Sequence, residues 1–233
     1  MTDKKVAIVT GAGKGMGAAI ARELCNKHYE LVLFSPSGAT ELAQELKAVS
    51  IKGSVTSNED LTLLISKTIN EFGRIDAVVN STGHPAQGAI IDITDTDWVA
   101  GMELVFLNVV RLARLITPHF LKQGKGAIVN ISTFAAIEPE ANYPISSTMR
   151  AALASYVKLY ADAYAKYGIR MNNLLPGFIE SYEIDNLTRE KIPMRRAGKL
   201  EEIAKTAVFL LSEGAGYITG QNIRVDGGLT RSL

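Results

Sequence analysis

Residues 10–17 read Thr10-Gly11-Ala12-Gly13-Lys14-Gly15-Met16-Gly17 and lie between an apolar run, Val6–Thr10, and a segment with a helical pattern, Ala18–Lys27. A short apolar run that ends in glycines is typical of a buried strand. Glycines at a strand-to-helix turn let the backbone approach a pyrophosphate, and the helix N-terminus then offers free N–H groups and a favourable dipole. The loop therefore predicts a dinucleotide site, and its candidate residues are Thr10, Gly11, Gly13, Lys14, Gly15, Met16 and Gly17.

Strand and helix patterns alternate along the rest of the chain. The further predicted strands are Leu31–Phe34, Ser50–Val55, Ala77–Asn80, Ala127–Ser132, Arg170–Leu175 and Asn222–Val225. The further predicted helices are Thr40–Ala48, Leu61–Phe72, Trp98–Gln123 (mostly helical), Ile145–Tyr167 and Glu201–Leu211. This alternation is typical of a mostly parallel sheet with helices on both faces. We predict a single α/β domain over residues 1–233, of the doubly wound Rossmann type.

Composition narrows the class of protein. The chain has 233 residues and a formal net charge of +1, which disfavours a nucleic-acid partner. Its one cysteine, Cys25, excludes an internal disulfide and a cysteine-ligated metal, so we predict no metal site. No apolar run approaches the ~20 residues of a membrane span, and the apolar run near the N-terminus is too short for a signal peptide. We expect a cytoplasmic protein with a small-molecule substrate and neither nucleic acid nor membrane as a partner.

The end of the second predicted strand bears on the choice of dinucleotide. Sites for NAD usually have Asp or Glu there to bind the ribose hydroxyls. This chain has Phe34-Ser35-Pro36-Ser37 instead, and Lys14 is placed to meet a 2′-phosphate. Both features favour NADP, with Ser35 as a further cofactor-binding candidate, and leave NAD open.

Several later segments share their spacing with one known family. They are Asn80-Ser81-Thr82-Gly83, Ile128–Ser132, Gly168–Asn172 followed by Pro176-Gly177, and Tyr217–Gln221 followed by Val225–Gly228. With the glycine loop they resemble the short-chain dehydrogenase/reductase family, in particular its 3-oxoacyl-(acyl carrier protein) reductases. The resemblance implies an NAD(P)-dependent oxidoreductase acting on a small carbonyl or alcohol. It also implies cofactor contacts by Ser54, Val55, Asn80, Gly83, Pro176, Gly177 and Ile179.

The family's catalytic residues do not all recur. The family uses Asn, Ser, Tyr and Lys, and gapless counting from neighbouring landmarks places Val105, Thr133, Ser146 and Arg150 at those four positions. A threonine hydroxyl makes the hydrogen bonds of serine, and Arg150 can bind ribose hydroxyls, so Arg150 is both a catalytic and a cofactor-binding candidate. Serine, by contrast, is a poor acid and valine has no polar atom.

Nearby residues offer substitutes for the two lost functions. Tyr143 precedes Ser146 by three positions, and Pro144 suits the first position of a helix, which would leave Tyr143 at its mouth. Asn108, three positions after Val105, is predicted to share its helix face. Either Tyr143 or Ser146 would then supply the proton. The alternative is a dinucleotide-binding protein that lacks hydride transfer and has a sensing or assembly role.

Three other features are weighed for function. Tyr156, Tyr160 and Tyr164 recur every four residues on one helix face, which we interpret as an oligomer face of a homodimer or homotetramer. His84 follows Gly83 and is interpreted as a loop histidine without a catalytic role. The alternative is that its imidazole donates a proton in the reaction. The pair Arg195-Arg196 falls where the family has its substrate lid, and it is either solvated or recognises an anionic substrate.

Overall fold

A computed structural model gives the fold, and it describes residues 4–181 and 183–232. The strands are β1 (Val6–Thr10), β2 (Glu30–Ser35), β3 (Val49–Lys52), β4 (Ala77–Asn80), β5 (Gly126–Ile131), β6 (Ile169–Pro176) and β7 (Asn222–Val225). The helices are α1 (Gly15–Asn26), α2 (Thr40–Leu46), α3 (Asn58–Phe72), α4 (Asp95–Met102), α5 (Asn108–Gln123), α6 (Pro144–Tyr164), α7 (Asn186–Lys191) and α8 (Leu200–Leu211). Within these residues no helix is long and apolar enough to cross a membrane.

The sheet confirms the predicted fold class. Its seven strands have the order β3-β2-β1-β4-β5-β6-β7, and every neighbouring pair is parallel. The order turns back at β1, because β2 and β3 lie on one side of that strand and β4 to β7 on the other. This is the doubly wound Rossmann arrangement, and ligands bind in such sheets at the carboxyl ends of the strands where the order reverses.

Helices cover both faces because successive side chains of a buried strand point in opposite directions. Ala7 and Val9 of β1 pack with α1 and α8 on one face, while Ile8 packs with α3, α5 and α6 on the other. Local signals set the helix ends: the Ser57 side chain accepts a hydrogen bond from the backbone of Asp60 at the start of α3, and Gly73 in the left-handed conformation ends it.

Asparagine side chains form a ladder across four strands on the α6 side of the sheet. Asn80 donates to Asn130 (2.7 Å), Asn130 donates to Asn173 (3.0 Å), and Asn173 donates to Asn222 (2.8 Å). These residues are direct partners in the strand register. Each amide therefore satisfies the next, which is the condition under which buried polar groups are tolerated. The sequence analysis missed this asparagine ladder, since its signal is an asparagine at matching positions of strands whose register was not known.

Three boundaries differ from the prediction in ways that affect the site. Helix α1 begins at Gly15 rather than Ala18, so the glycine loop supplies the first helical turn. Strand β3 ends at Lys52, and Ser54 and Val55 lie in the following loop, because the backbone N–H of Ser54 donates to the Asp60 carboxylate (2.8 Å). The predicted helix 98–123 consists of α4 and α5 joined by a π-helical turn over residues 103–107, and the short helix α7 was not predicted.

The tyrosine series on α6 is only partly a surface. Tyr160 is buried, its hydroxyl lies 2.6 Å from that of Thr117 on α5, and its ring packs against those of Tyr156 and Tyr164. Burial raises the pKa of Tyr160 to about 12. The prediction of a face exposed for a partner is wrong for Tyr160, because the i, i+4 spacing that aligns the three rings also directs the middle one onto α5.

Candidate active site

The ends of β1 and β4 meet at the point where the strand order reverses. Thr10 at the end of β1 donates through its hydroxyl to the carbonyl oxygen of Ser81 (2.8 Å) and accepts from the backbone N–H of Ser81 (3.0 Å). This pair of hydrogen bonds fixes the glycine loop after β1 against the Ser81–Gly83 segment after β4. The predicted cofactor-binding segments therefore share one edge of the sheet.

The glycine loop has the shape that a dinucleotide needs. A Cβ atom on Gly17 would lie 2.4 Å from the carbonyl oxygen of Gly11, so the loop and α1 approach too closely for any side chain there. At Gly15 and Gly83, by contrast, a Cβ would meet no atom within 4 Å and would project into open space. Backbone N–H groups at the start of α1 border that space, which suits phosphate oxygens. The side chain of Met16 packs against the core, so this residue offers the site its backbone.

A serine pair adjoins the loop at the end of β2. The hydroxyls of Ser35 and Ser37 lie 3.2 Å apart, and a Cβ on Gly13 would be 3.2 Å from the Ser37 hydroxyl. Lys14 is exposed immediately after Gly13. Two hydroxyls and an exposed cation are suitable partners for a phosphate monoester, whereas no carboxylate is present at residues 34–37 to bind ribose hydroxyls.

The remaining cofactor candidates lie along the same edge. Val55 packs partly against the core, and the hydroxyl of Ser54 lies 2.8 Å from that of Thr56. Strand β6 ends at Pro176, and the next residue, Gly177, donates to the carbonyl oxygen of Val225 (3.0 Å). Ile179 is buried in the core, so only its backbone can face a ligand.

Ser146, Arg150 and Thr133 lie in neighbouring parts of α6 and the end of β5. Ser146 and Arg150 are one helical turn apart and both are buried, at 8% and 6% exposure. Arg150 donates through Nη1 to the carbonyl oxygen of Ile131 (2.5 Å), the last residue of β5. Thr133 follows two residues later, half-buried, and its hydroxyl accepts from the backbone of Ala135 (3.3 Å). One hydrogen bond therefore links the helix and the strand that carry three of the predicted catalytic residues.

Polar atoms near this link have no partner in the described part of the chain. They are the hydroxyl of Ser132 and Nε of Arg150. Burial lowers the pKa of Arg150 to about 10, because it disfavours the charged guanidinium. Ser132 was not a candidate in the sequence analysis. Its burial beside the end of β5 is a tertiary property that residue spacing does not reveal.

The loop after β4 is hydrogen-bonded to the segment before α6. Gly88 of this loop donates to the carbonyl oxygen of Asn142 (3.1 Å), just before α6. Partial burial and the positive charge of Arg150 both lower the pKa of His84. His84 is therefore close enough to Arg150 to sense its charge.

The chain is similar to known proteins over nearly its whole length. The family model described as enoyl-(acyl carrier protein) reductase matches residues 11–230. Relatives named 3-oxoacyl-[acyl-carrier-protein] reductase include those of Thermotoga maritima (29% identity, 97% of each chain covered) and Synechocystis sp. (32% identity, 97% of this chain and 96% of the relative). The chain belongs to the short-chain dehydrogenase/reductase family. The crystal structure of YwfH, described as an NADPH dependent reductase involved in bacilysin biosynthesis, has a TM-score of 0.91 and 29% identity, with 99% of this chain and 100% of that chain covered.

These relatives confirm the family and the oxidoreductase class predicted from the sequence. The chain is an enzyme of the short-chain dehydrogenase/reductase type. The relatives do not assign roles to individual side chains of this chain. Those roles are argued from the positions of the candidate residues in the structure, which support some candidates better than others.

Tyr143 occupies the predicted place at the mouth of α6. The helix begins at Pro144, and Tyr143 is the residue before it, half-buried. Its carbonyl oxygen accepts from the backbone N–H of Ser147 (2.9 Å) in the first turn. The phenol is thus carried by the rigid start of the helix that also bears Ser146.

Asn108 is separated from Val105 by the end of a π-helical turn over residues 103–107, and both residues are buried, at 3% and 1% exposure. That the two share a helix face stays a prediction. Asn108 is buried at the start of α5, and its side-chain oxygen accepts from the backbone of Val109 (2.5 Å). In the described residues no hydrogen bond joins Asn108 to Thr133, Ser146 or Arg150.

The arginine pair after α7 is engaged with its own segment. Arg196 makes two hydrogen bonds to the Glu202 carboxylate (2.8 and 2.7 Å), and Arg195 donates to the carbonyl oxygen of Glu190 (2.5 Å). Recognition of an anionic substrate by Arg196 would require breaking its pair with Glu202. The structure therefore favours a structural role for Arg196.

Proposed function

We propose that this enzyme is an NADPH-dependent reductase of small carbonyl compounds in which Thr133 and Ser146 hold the reacting oxygen and Arg150 binds the nicotinamide ribose. The observation that carries the proposal is the hydrogen bond from Arg150 to the end of β5, which links the helix of Ser146 to the segment of Thr133. Thr133 follows the end of β5, and Ser146 lies in the first turns of α6.

The cofactor preference rests on the site and on one relative. The hydroxyls of Ser35 and Ser37 and the cation of Lys14 suit a 2′-phosphate. The structurally similar YwfH is described as NADPH dependent. Bound NADPH supplies a hydride to the carbonyl carbon.

The protein's part is to hold the oxygen and deliver a proton to it. Thr133 and Ser146 donate hydrogen bonds to the oxygen as negative charge develops there, an interaction that is strong in a site with little water. Tyr143 delivers the proton, because a phenol is a far stronger acid than an aliphatic hydroxyl. Arg150 stays protonated and acts through charge and hydrogen bonds rather than by proton transfer.

Nucleotide titration followed by turnover tests this function. We expect NADPH to bind more tightly than NADH in calorimetry, and a panel of small ketones and aldehydes to yield turnover. Thr133→Ala should lower kcat by about 100- to 1,000-fold, the usual effect of losing one oxyanion donor. Tyr143→Phe should lower it by about 100- to 10,000-fold. Tyr167→Phe, an exposed tyrosine distant in sequence from the site, is the matched control and should change nothing.

The outcomes separate the alternatives. Turnover that survives combined loss of Thr133, Tyr143 and Ser146 would refute the assigned roles. Tight NADPH binding with no turnover on the panel would favour a cofactor-binding protein with a sensing or assembly role. Absence of binding by NADPH, NADH and their oxidised forms would contradict the glycine-loop argument itself.

We also propose a homodimer or homotetramer formed through α5 and α6. Leu159 on α6 is 68% exposed and Leu121 on α5 is 41% exposed, although both are large and apolar. Covering such side chains favours association. Light scattering coupled to size exclusion should give a dimer or tetramer mass, and Leu159→Glu should shift it towards the monomer.

A further inference from the structure

The loop that carries two of the proposed catalytic residues is long and has little regular structure. It runs over residues 132–143, between β5 and α6, and its regular part is a 3₁₀ turn at Phe134–Ala136. Thr133 lies near the start of this loop and Tyr143 at its end. Connections of about a dozen residues or more with little regular structure are uncommon in compact domains and are usually functional. A contact that fixes the middle of the loop therefore bears on the position of both residues.

Glu138 makes such a contact. It lies five residues after Thr133 and five before Tyr143, and it is half-buried. One oxygen of its carboxylate, Oε1, accepts hydrogen bonds from the backbone N–H groups of Arg231 (2.5 Å) and Ser232 (2.6 Å). These partners lie 93 and 94 residues further along the chain, in the segment after β7. Bonds from N–H groups to a carboxylate are charge-assisted and stronger than bonds between neutral groups.

The segment after β7 is itself held by hydrogen bonds. The Asp226 carboxylate accepts from the backbone N–H of Gly228 (2.9 Å) and from the hydroxyl of Thr230 (2.7 Å). Arg224 of β7 donates to the hydroxyl (3.0 Å) and to the carbonyl oxygen of Ser232. Both ends of this segment are therefore tied close to β7, so it can serve as an anchor for Glu138.

The same segment contacts two further parts of the chain, both in the connection between β6 and α8. The carbonyl oxygen of Gly227 accepts from the backbone N–H of Met194 (3.2 Å), which follows α7. Gly177, just after β6, lies so close to Asp226 that a Cβ atom on Gly177 would be 2.8 Å from the Cα of Asp226. Through Glu138, the loop before α6 is therefore joined to the segments after β6 and after α7.

We infer that Glu138 is a positioning residue: by binding the segment after β7, its carboxylate holds the loop before α6 in the conformation that presents Thr133 and Tyr143. The inference rests on the proposed function, which gives these two side chains their roles in the reaction. The backbone N–H of Ser232, and then that of Arg231, lower the pKa of the Glu138 carboxyl, so it is charged at neutral pH. A misplacement of about 1 Å can cost about 100-fold in rate, so an anchor at the middle of this loop affects catalysis through the residues that it holds.

Hydrogen exchange of the loop amides, measured by mass spectrometry, tests the anchor without a substrate. The reporters are the backbone N–H groups of residues 135–138, which are hydrogen-bonded within the 3₁₀ turn. Glu138→Ala removes the carboxylate and Arg231→Pro removes one of its two N–H donors. Each should speed exchange at the reporters by about three- to tenfold. Glu138→Gln retains a neutral acceptor and should show only part of the effect.

Matched controls isolate this pair of hydrogen bonds. Glu140→Ala removes an exposed carboxylate from the same loop, and Arg231→Ala removes a side chain but keeps the N–H group. Both should leave exchange at the reporters unchanged. If Glu138 acts through the segment after β7, the variant that combines Glu138→Ala with Arg231→Pro should exchange no faster than Glu138→Ala alone.

Turnover shows whether the anchor serves the reaction. With NADPH and a carbonyl compound that the wild type reduces, kcat should fall about 10- to 100-fold in Glu138→Ala while Kd for NADPH stays unchanged, since a general loss of structure would change both. Unchanged exchange at the reporters in Glu138→Ala, exchange that is equally faster throughout β5, or an unchanged kcat would each overturn the inference. If Glu138→Ala does not fold, Glu138→Gln and Arg231→Pro decide in its place. Failure of the wild type to reduce any carbonyl compound counts against the proposed function, and the exchange rates still decide whether Glu138 holds the loop.

Discussion

Asn130 is a position where one substitution should weaken the sheet through polar groups alone. Its side chain is 1% exposed, accepts from Asn80 (2.7 Å) and donates to Asn173 (3.0 Å). Asn130→Leu keeps a similar volume but leaves the Asn80 amide N–H and the Asn173 amide oxygen buried without partners. Each such group costs about 1–3 kcal/mol. The apolar surface of leucine recovers part of this loss, so we expect the free energy of unfolding to fall by about 2–4 kcal/mol.

The opposite end of the asparagine ladder provides the matched control. Asn222 is only half-buried on the edge strand β7 and takes part in one bond of the ladder, accepting from Asn173 (2.8 Å). Asn222→Leu leaves one buried group without a partner, the side-chain N–H of Asn173, whereas Asn130→Leu leaves two, so it should cost about half as much. The two leucine variants thus make the same chemical change at the middle and at the end of one network.

Urea unfolding followed by circular dichroism, at one protein concentration, measures both losses. The midpoint should fall about twice as far for Asn130→Leu as for Asn222→Leu, with the slope m unchanged in both. Against a total stability of about 5–15 kcal/mol, the first change is large. Equal losses for the two variants would show that the ladder does not act as a buried network, and would refute the reasoning.

Other predictions test the cofactor edge and the segment after α7. Gly83→Ala should fold normally, because its Cβ meets no atom within 4 Å. It should weaken NADPH binding about tenfold or more by filling the space proposed for the cofactor. Unchanged affinity in a fluorescence titration would show that Gly83 is not part of the site. Ser37→Asp should lower the ratio of kcat/KM for NADPH to that for NADH by about tenfold or more. A carboxylate repels the 2′-phosphate of NADPH and accepts hydrogen bonds from the ribose hydroxyls of NADH. A constant ratio would contradict the proposed position of the phosphate. The pKa of Glu202 is lowered from 4.5 to about 2, first by its hydrogen-bonded pair with Arg196 and then by the backbone N–H of Lys199. The stability that this carboxylate contributes is therefore present above about pH 4.5 and is lost as the pH falls towards 2. The difference in thermal unfolding between the wild type and Glu202→Gln should accordingly be constant from about pH 7 to 5 and shrink below 4.5. A difference that is as large at about pH 3 as at pH 7 would argue against the pair.

Local patterns were sufficient to predict most of the fold. The strands β1, β4 and β7 have the predicted bounds, and the remaining strands shift by at most a few residues. Apolar runs and helical periodicity are properties of neighbouring residues, so they can be recognised in the sequence without knowledge of the tertiary contacts. The π-helical turn within the predicted helix 98–123 was missed, since its extra residue per turn alters the phase of a helix without an obvious change in composition.

The candidate site could be predicted only as a set of residues. Spacing identified Ser146, Arg150 and Thr133, and the structure brings the helix of the first two to the strand before the third through the bond from Arg150 to Ile131. Spacing also predicts that Asn108 shares a face with Val105, and this stays a prediction, because the π-helical turn at residues 103–107 interrupts the regular helix on which the spacing argument depends.

The amino-acid sequence alone determined that this chain forms a doubly wound sheet with a glycine loop after its first strand, because strand and helix periodicity and glycine content act over a few neighbouring residues. The tertiary structure alone decided which polar groups meet. Asn80 and Asn130 are 50 residues apart, and Arg150 and Ile131 are 19 apart, yet each pair shares a hydrogen bond. Such pairings depend on strand register and on how far a side chain is buried. In the described part of the chain, Nε of the buried Arg150 has no hydrogen-bond partner, and this too is visible only once the chain is folded.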